Sequence, residues 1–277
     1  MPIFYVDGKF VPAEQAVIPV DDLAVVRGIG VFDLFRTYNG KPLFIKEHVT
    51  RLIGSAQQIN LELPWSHDQI CQVALETLAR NDLEEANVRI IVTGGSSTDF
   101  ITPQGRPRLL VLVTPLAKLP DWWFKKGIKV VTLLTERRIP GAKSIDYIPA
   151  AMALKQAHAQ GAVEAIYVDR NDRALEGTTC NLFAVIDGKL VTPEKGILAG
   201  ITRSVVLTIA KDIAQIELKD LPRTQLLSAQ EAFITGTSKG MVPVVQVDDS
   251  IIADGRPGPL TQRIMQALEA HVADSSS

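Results

Sequence analysis

Gly141-Ala142-Lys143-Ser144-Ile145-Asp146-Tyr147 is the stretch that decides how this chain folds and what it does. It stands between a β-rich run, Ile128 to Leu134, and a helix that Pro149 helps to start and Gly161 stops. A lysine beside a glycine is by itself an ordinary surface residue, but one placed just before a helix projects from a fixed backbone point. Downstream follow Ala153-Leu154-Lys155-Gln156-Ala157, Glu164-Ala165-Ile166-Tyr167-Val168-Asp169 and Leu175-Glu176-Gly177-Thr178-Thr179-Cys180-Asn181-Leu182-Phe183. Order and surroundings, not residue type, single out Lys143 and Glu176.

Asp7-Gly8, Asn39-Gly40 and Asp187-Gly188 each sit between apolar runs and predict two-residue hairpin turns. Apolar residues at helical spacing, Val49, Leu52, Ile53, Ala56 and Ile59, predict a helix over Glu47 to Asn60, and a second covers about His67 to Arg80. Val88 to Thr93 and Pro107 to Thr114 read as buried strands. Pro115-Leu116-Ala117-Lys118-Leu119-Pro120 then breaks both patterns and marks a domain boundary. The expectation is an α+β chain of two domains, 1–115 and 125–277, joined by a linker at 116–124. Further helices are expected from about Thr202 and near the C-terminus, with Ala273-Asp274-Ser275-Ser276-Ser277 as a frayed tail.

With 29 Lys+Arg against 31 Asp+Glu and a net charge of -2, the chain shows no electrostatic footprint for nucleic acid or an anionic membrane. Its hydrophobic content is 46%, yet the longest apolar stretches, such as Leu109 to Val113, fall far short of the ~20 residues that span a bilayer. The N-terminus has no basic region followed by a cleavage site, and Cys71 and Cys180 lie far apart without metal-ligand spacing. A small-molecule partner, a cytoplasmic location and no metal site are expected. Gly28-Ile29-Gly30 lacks the third glycine and acidic reader of a dinucleotide site. His48, His158, Trp122 and Trp123 suggest structural residues without a catalytic part.

The blocks around Lys143 and Glu176 continue in order through Gly200-Ile201-Thr202-Arg203, Phe233-Ile234-Thr235-Gly236-Thr237-Ser238, Val242-Pro243-Val244 and Gly255-Arg256-Pro257-Gly258-Pro259. Earlier come Gly30-Val31-Phe32-Asp33 and Glu47-His48-Val49-Thr50-Arg51-Leu52. The whole set resembles the class IV, fold-type IV aminotransferases, the pyridoxal-5'-phosphate (PLP) dependent family that includes D-amino-acid and branched-chain aminotransferases. The resemblance covers nearly the whole chain. It implies a two-domain α+β fold with PLP at the domain interface, and a homodimer.

PLP needs an amine to condense with its aldehyde, an anion site for its phosphate and a partner for its pyridine nitrogen. Lys143 matches the family's cofactor-linking lysine, and desolvation would lower its pKa toward a usable nucleophile and base. Glu176 matches the carboxylate that keeps the pyridine nitrogen protonated. Ile201 and Thr202 open an amphipathic run, where free backbone N–H groups suit a dianion. Thr237 and Ser238 offer more donors, and Arg51 a fixed cation. Tyr147, four residues past Lys143, is placed to meet the cofactor or line the substrate pocket.

The reaction implied is ping-pong transfer of an amino group between an amino acid and a 2-oxo acid. Three family activities compete: D-amino-acid aminotransferase, branched-chain L-amino-acid aminotransferase and aminodeoxychorismate lyase. The spacing from Lys143 to Ala157 and the run Val242-Pro243-Val244-Val245 favour the first. Two departures oppose it. The Arg-x-His carboxylate trap of the D-amino-acid group is replaced by Gly94-Gly95-Ser96-Ser97-Thr98-Asp99-Phe100, and Arg36 fits the branched-chain pattern. Carboxylate binding is therefore expected from Arg27, Arg36 and Arg89. A PLP-binding protein without turnover is the rival from another class, opposed by an intact Lys143 and Glu176.

Overall fold

The computed structural model describes residues Met1 to Ser275. The chain divides into two compact units, Met1–Ala117 with Gly141–Tyr147, and Lys118–Pro140 with Ile148–Asp274.

The first unit is a sheet packed against helices. Strands β1 (Ile3–Val6) and β2 (Lys9–Pro12) form a hairpin across Asp7 and Gly8, whose φ values of 48° and 96° are those the Asp-Gly pair predicts. After α1 (Leu23–Arg27), strand β3 (Gly30–Tyr38) turns at Asn39-Gly40 into the short β4 (Lys41–Pro42). Helices α2 (Ile45–Gln58) and α3 (His67–Ala79) follow, the second opened by a reciprocal capping box between Ser66 and Gln69. Strands β5 (Ala86–Thr93) and β6 (Arg108–Pro115) complete an antiparallel sheet in the order β2-β1-β6-β5-β3-β4. Alternation decides its two faces. Ala86, Val88, Ile90 and Val92 of β5 bury against Val49, Leu52 and Ala56 of α2 and Ile70 and Ala74 of α3. Each large side chain so buried contributes about 1.5–3 kcal/mol. The opposite face carries Phe32, Leu34 and Arg36 beside their partners Ile91, Arg89 and Asn87.

The segment Gly141–Tyr147 packs in this unit, and the stretch 116–124, expected as a linker, runs into a helix. The cause of the first difference is an incomplete strand edge. Strand β4 pairs only with Thr37 and Tyr38, so the start of β3 has amides and carbonyls left over. The segment supplies their partners. Phe32 N donates to Lys143 O at 2.9 Å, Ile145 N donates to Gly30 O at 3.1 Å, and Val31 bridges Ser144.

The second unit begins with α4 (Asp121–Lys126), where Trp122 and Trp123 pack edge to face. It continues through β7 (Ile128–Leu134), α5 (Ile148–Ala159), β8 (Glu164–Val168), β9 (Arg173–Gly177), β10 (Asn181–Ile186), β11 (Lys189–Thr192) and α6 (Ile201–Ala210). Then come β12 (Ile216–Leu218), β13 (Leu221–Pro222), α7 (Arg223–Leu227), β14 (Glu231–Gly236), β15 (Gly240–Val247), β16 (Ser250–Ile251) and α8 (Pro259–Ser275). The path β10-β14-β15-β7-β8-β9 returns to β10 through the pair Asn181 and Glu176, which closes the strands into a ring. One face of these strands shares a core of Ile128, Val130, Ile166, Leu182, Ile234 and Val242. On the other, Phe183 stacks on Phe233 at 4.8 Å against Val206 of α6 and Ile264 of α8.

Ala273-Asp274-Ser275, expected as a frayed tail, continue α8, while Ser276 and Ser277 lie outside the described residues. Among the described residues no helix is long and apolar enough to cross a membrane. The first turn of α8 is held from β14: Glu231 accepts from Leu260 N at 3.0 Å and Thr261 N at 2.7 Å. Glu231→Ala is expected to lower stability by about 1–3 kcal/mol by stranding two N–H groups, read as a shift of the urea midpoint. Glu231→Gln, which keeps acceptor capacity, should lose less, and equal losses from both would show that charge rather than capping holds the helix end.

Candidate active site

Lys143 is positioned by the strand-like pairing of its own backbone with β3. Its Nζ lies 4.7 Å from the centre of the Phe32 ring. The Arg89 guanidinium lies 4.8 Å from the same ring, and Tyr147 meets it edge-on at 5.4 Å. Phe32 thus gathers a lysine and a tyrosine from one stretch of chain and an arginine from another. A cation over an aromatic face is worth about 0.5–2 kcal/mol, enough to favour one placement of each side chain.

On the other face of β3, Asp33 is fully buried beneath α2. Arg51 grips it with two parallel bonds, Nε to Oδ2 and Nη2 to Oδ1, both 2.8 Å, and His48 Nδ1 lies 2.7 Å from Oδ1. Residues 48 and 51 share a helix face, so one carboxylate fixes both. Burial opposes ionisation of Asp33, but the bonds and charge of Arg51, joined by His48, override it and hold its carboxyl well below the usual range. Burial also pushes the His48 pKa down against the pull of Asp33. His48 is therefore a neutral imidazole donating its Nδ1 proton, and the charge in the pair belongs to Arg51.

In the second unit, Glu176 is buried at the ring-closing pair. It accepts from Leu198 N at 2.9 Å and Asn181 Nδ2 at 3.3 Å, with Arg137 Nη1 at 3.4 Å. Asn181 pairs across the sheet with both Glu176 and Thr235, which sets these three in a row. The Thr235 hydroxyl is buried without a protein partner. Thr237 and Ser238 lie in the turn that begins two residues on, between β14 and β15. Behind that turn Lys239 Nζ reaches Glu164 at 2.6 Å and Thr179 Oγ1 at 2.7 Å. Burial raises the Glu164 pKa, yet the charge and hydrogen bond of Lys239, with the bonds from Thr178 and the Ala165 amide, together outweigh it and bring the group below the usual carboxylate value.

Helix α6 opens at Gly200, and no side chain caps its first turn, which carries the Ile201 and Thr202 N–H groups. A Cβ on Gly200 would collide with Asn181 Oδ1, so glycine is required for this close approach. The features of the second unit fit parts of PLP: an uncapped helix start for a phosphate, a buried carboxylate for a ring N–H and a spare buried hydroxyl; the first unit by itself offers an amine on an aromatic floor.

Of the three arginines expected at the carboxylate, the structure brings Arg89 to Phe32. Arg36 follows on the same sheet face with its Nε on Thr37 O at 3.0 Å, and Arg27 is exposed, donating to Val26 O at 2.8 Å. Sequence reasoning missed Phe32, Asp33, His48, Asn181 and Glu164 as working residues. The i, i+3 spacing of His48 and Arg51 was the one available signal, since both sit on the buried side of a helix pattern.

The Asp33 group makes a pH-dependent contribution. Both Asp33 and His48 bind fewer protons folded than unfolded, so acidification removes stability, below about pH 6.5 through His48 and below about pH 4 through Asp33. Asp33→Asn is expected to cost about 3 kcal/mol at pH 7 by stranding Arg51, and to flatten the dependence below about pH 4. Urea unfolding at pH 7, 5 and 3.5 measures this, and an unaltered acid limb in the variant would contradict the assignment.

A family model for amino-transferase class IV matches residues 30–247. A putative branched-chain-amino-acid aminotransferase of Methanocaldococcus jannaschii is 35% identical over 277 residues, covering 96% of this chain and 94% of that protein. A D-alanine aminotransferase of Listeria monocytogenes is 31% identical over 269 residues, covering 94% of this chain and 93% of that one. The crystal structure of the branched-chain amino acid aminotransferase from T.th., with pyridoxamine 5'-phosphate, superposes with a TM-score of 0.91 at 30% identity, covering 99% of this chain and 95% of that one. The buried carboxylate, the uncapped helix and the pinned lysine are thus features of a chain that belongs to the class IV aminotransferases, PLP-dependent transaminases of fold type IV.

Proposed function

We propose that this transaminase moves amino groups between branched-chain L-amino acids and 2-oxo acids, with D-amino acids as the second reading. The observation that carries the proposal is the floor beneath Lys143. An aromatic ring with Tyr147 at its edge suits an apolar substrate side chain, and Arg89 on that same ring offers a planar fork for a carboxylate. The Methanocaldococcus relative and the T.th. structure, both named for branched-chain substrates, support this choice. The D-amino-acid reading favoured by the sequence is supported by the D-alanine aminotransferases at about 30% identity, and opposed by the missing Arg-x-His. Aminodeoxychorismate lyase activity is a third reading.

When bound, PLP supplies an aldehyde for the amino group and a ring that delocalises the electron pair left on the substrate carbon. Lys143 would supply the amine that links to it, and would move a proton at its Nζ. Glu176 would accept the ring N–H, its carboxylate oriented by Leu198 N, Asn181 and Arg137. The Ile201 and Thr202 N–H groups, Thr237 and Ser238 would hold the phosphate and Arg51 would supply its cation; the bidentate grip of Asp33 fixes the arginine before any ligand arrives. Arg36 and Arg89 hold substrate carboxylate. A cytoplasmic homodimer completes the reading, supported by free Cys71 and Cys180 and by exposed Val17, Val20 and Val25 near Arg27.

A half-reaction screen distinguishes the readings. Holoenzyme mixed separately with L-leucine, L-glutamate, D-alanine and D-glutamate is expected to lose its visible cofactor absorbance fastest with L-leucine. Bleaching by D-alanine alone would establish the D-amino-acid reading instead, and pyruvate release from aminodeoxychorismate would establish the lyase. Glu176→Gln should retain cofactor on dialysis but lose about 100-fold or more in turnover, whereas Arg51→Ala should lose cofactor on dialysis while keeping its substrate preference. Near-parental turnover in the first variant would remove Glu176 from its role.

A further inference from the structure

We infer that Ser55, on the buried face of α2, is a positioning residue that sets the backbone of Lys143; this rests on Lys143 being the cofactor-linking lysine. Ser55 is 1% exposed and its hydroxyl has two partners. It donates to Arg51 O at 2.8 Å, one turn back along the helix, and accepts from Lys143 N at 3.0 Å. The carbonyl of Lys143 is taken by Phe32 N at 2.9 Å. Both polar groups of the lysine's peptide frame are therefore fixed, one by a side chain of α2 and the other by the strand that supplies the ring beneath Nζ. The long side chain departs from this fixed frame.

The arrangement follows from helical spacing. Arg51, half-buried, Ser55, buried, and Gln58, exposed, lie at i, i+4 and i+7 and form a polar stripe beside the buried apolar Val49, Leu52 and Ala56. Arg51 engages Asp33 of β3, Ser55 engages Lys143, and the Gln58 amide packs against Gly141. One helix face thus reads β3 and the lysine segment together, and Ser55 is the member that touches the lysine. Serine suits the place. Its hydroxyl returns a proton to the helix's own carbonyl and leaves a lone pair for the incoming N–H, a pairing that alanine lacks. Without it the Lys143 N–H has lost its acceptor, and the segment is free to shift against Phe32. Displacements of about 1 Å at a reacting group cost up to about 100-fold in rate, so a single hydroxyl is enough to matter.

The test uses the full chain with Ser55→Ala and Ser55→Thr. Amide hydrogen exchange of the apoprotein, resolved to residues by fragmentation, reads the hold on Lys143 without cofactor. Borohydride fixation at timed intervals after adding PLP reads how fast the lysine links to it. For Ser55→Ala we expect exchange at Lys143 to rise by about tenfold or more while α2 and β5 keep their protection, linkage to slow by about tenfold, and kcat to fall about 10- to 100-fold with KM within about threefold. Ser55→Thr, which restores a hydroxyl, should recover most of each. Parental exchange and linkage in Ser55→Ala would overturn the inference. So would loss of protection throughout the first unit, which marks a general core strut, or a threonine variant no better than alanine. Reduced cofactor on another lysine of the parent protein would instead take down the assignment of Lys143 itself, and the inference with it.

Discussion

Everything about Lys143 depends on the backbone hydrogen bonds between the Gly141–Tyr147 segment and the open start of β3. Two backbone hydrogen bonds, which together make one β-bridge, dock a piece of chain far removed in sequence onto a strand that its own hairpin leaves half paired. The docking places Nζ over Phe32 and Tyr147 at the ring's edge, and it aligns Phe32 with Arg89 through the register of β3 on β5. Each side chain contact is modest. The backbone pairing is what makes them simultaneous.

Glu176 is held by different means. A buried carboxylate costs several kcal/mol unless it is well bonded, and a close cation would offset part of that at the risk of tying the group up. Here a main-chain amide, an asparagine amide and Arg137 share the holding. Glu164 and Lys239 take another solution, a buried carboxylate in a tight ion pair with a partly exposed lysine and with threonine partners, in a place where the need is to fix a turn. Two glutamates in one unit thus carry different duties, and their partners tell them apart.

The hairpins were legible because an Asp-Gly or Asn-Gly turn is specified by two adjacent residues, and α2 and α3 because a periodic apolar stripe is local. Lys143 and Glu176 were legible only through the order of many blocks. His48 looked like a lone histidine, and nothing within a few residues of it reveals a carboxylate on a strand fifteen positions earlier. Ser55 was hidden likewise, its partner being eighty-eight positions away. The boundary set at the proline-rich stretch 115–120 described where the chain changes character, and a return of the chain to the first unit at Gly141 leaves no mark in composition. Ala273 to Ser275, read as part of a frayed tail, continue a helix whose apolar positions, Ile264 and Leu268, are buried.

That return has a consequence for how the protein is made. Residues up to Ala117 leave the ribosome first and can assemble sheet and helices, but the strand edge at Gly30 to Phe32 waits for the chain to reach Tyr147. At ordinary rates of synthesis this is a delay of roughly 2 to 6 s. During it the nascent unit exposes unpaired strand, the feature most apt to recruit a second chain. The segment that finally covers the edge is the one that carries Lys143, so a molecule in which that lysine has its fixed backbone frame is one that has already passed its most aggregation-prone stage.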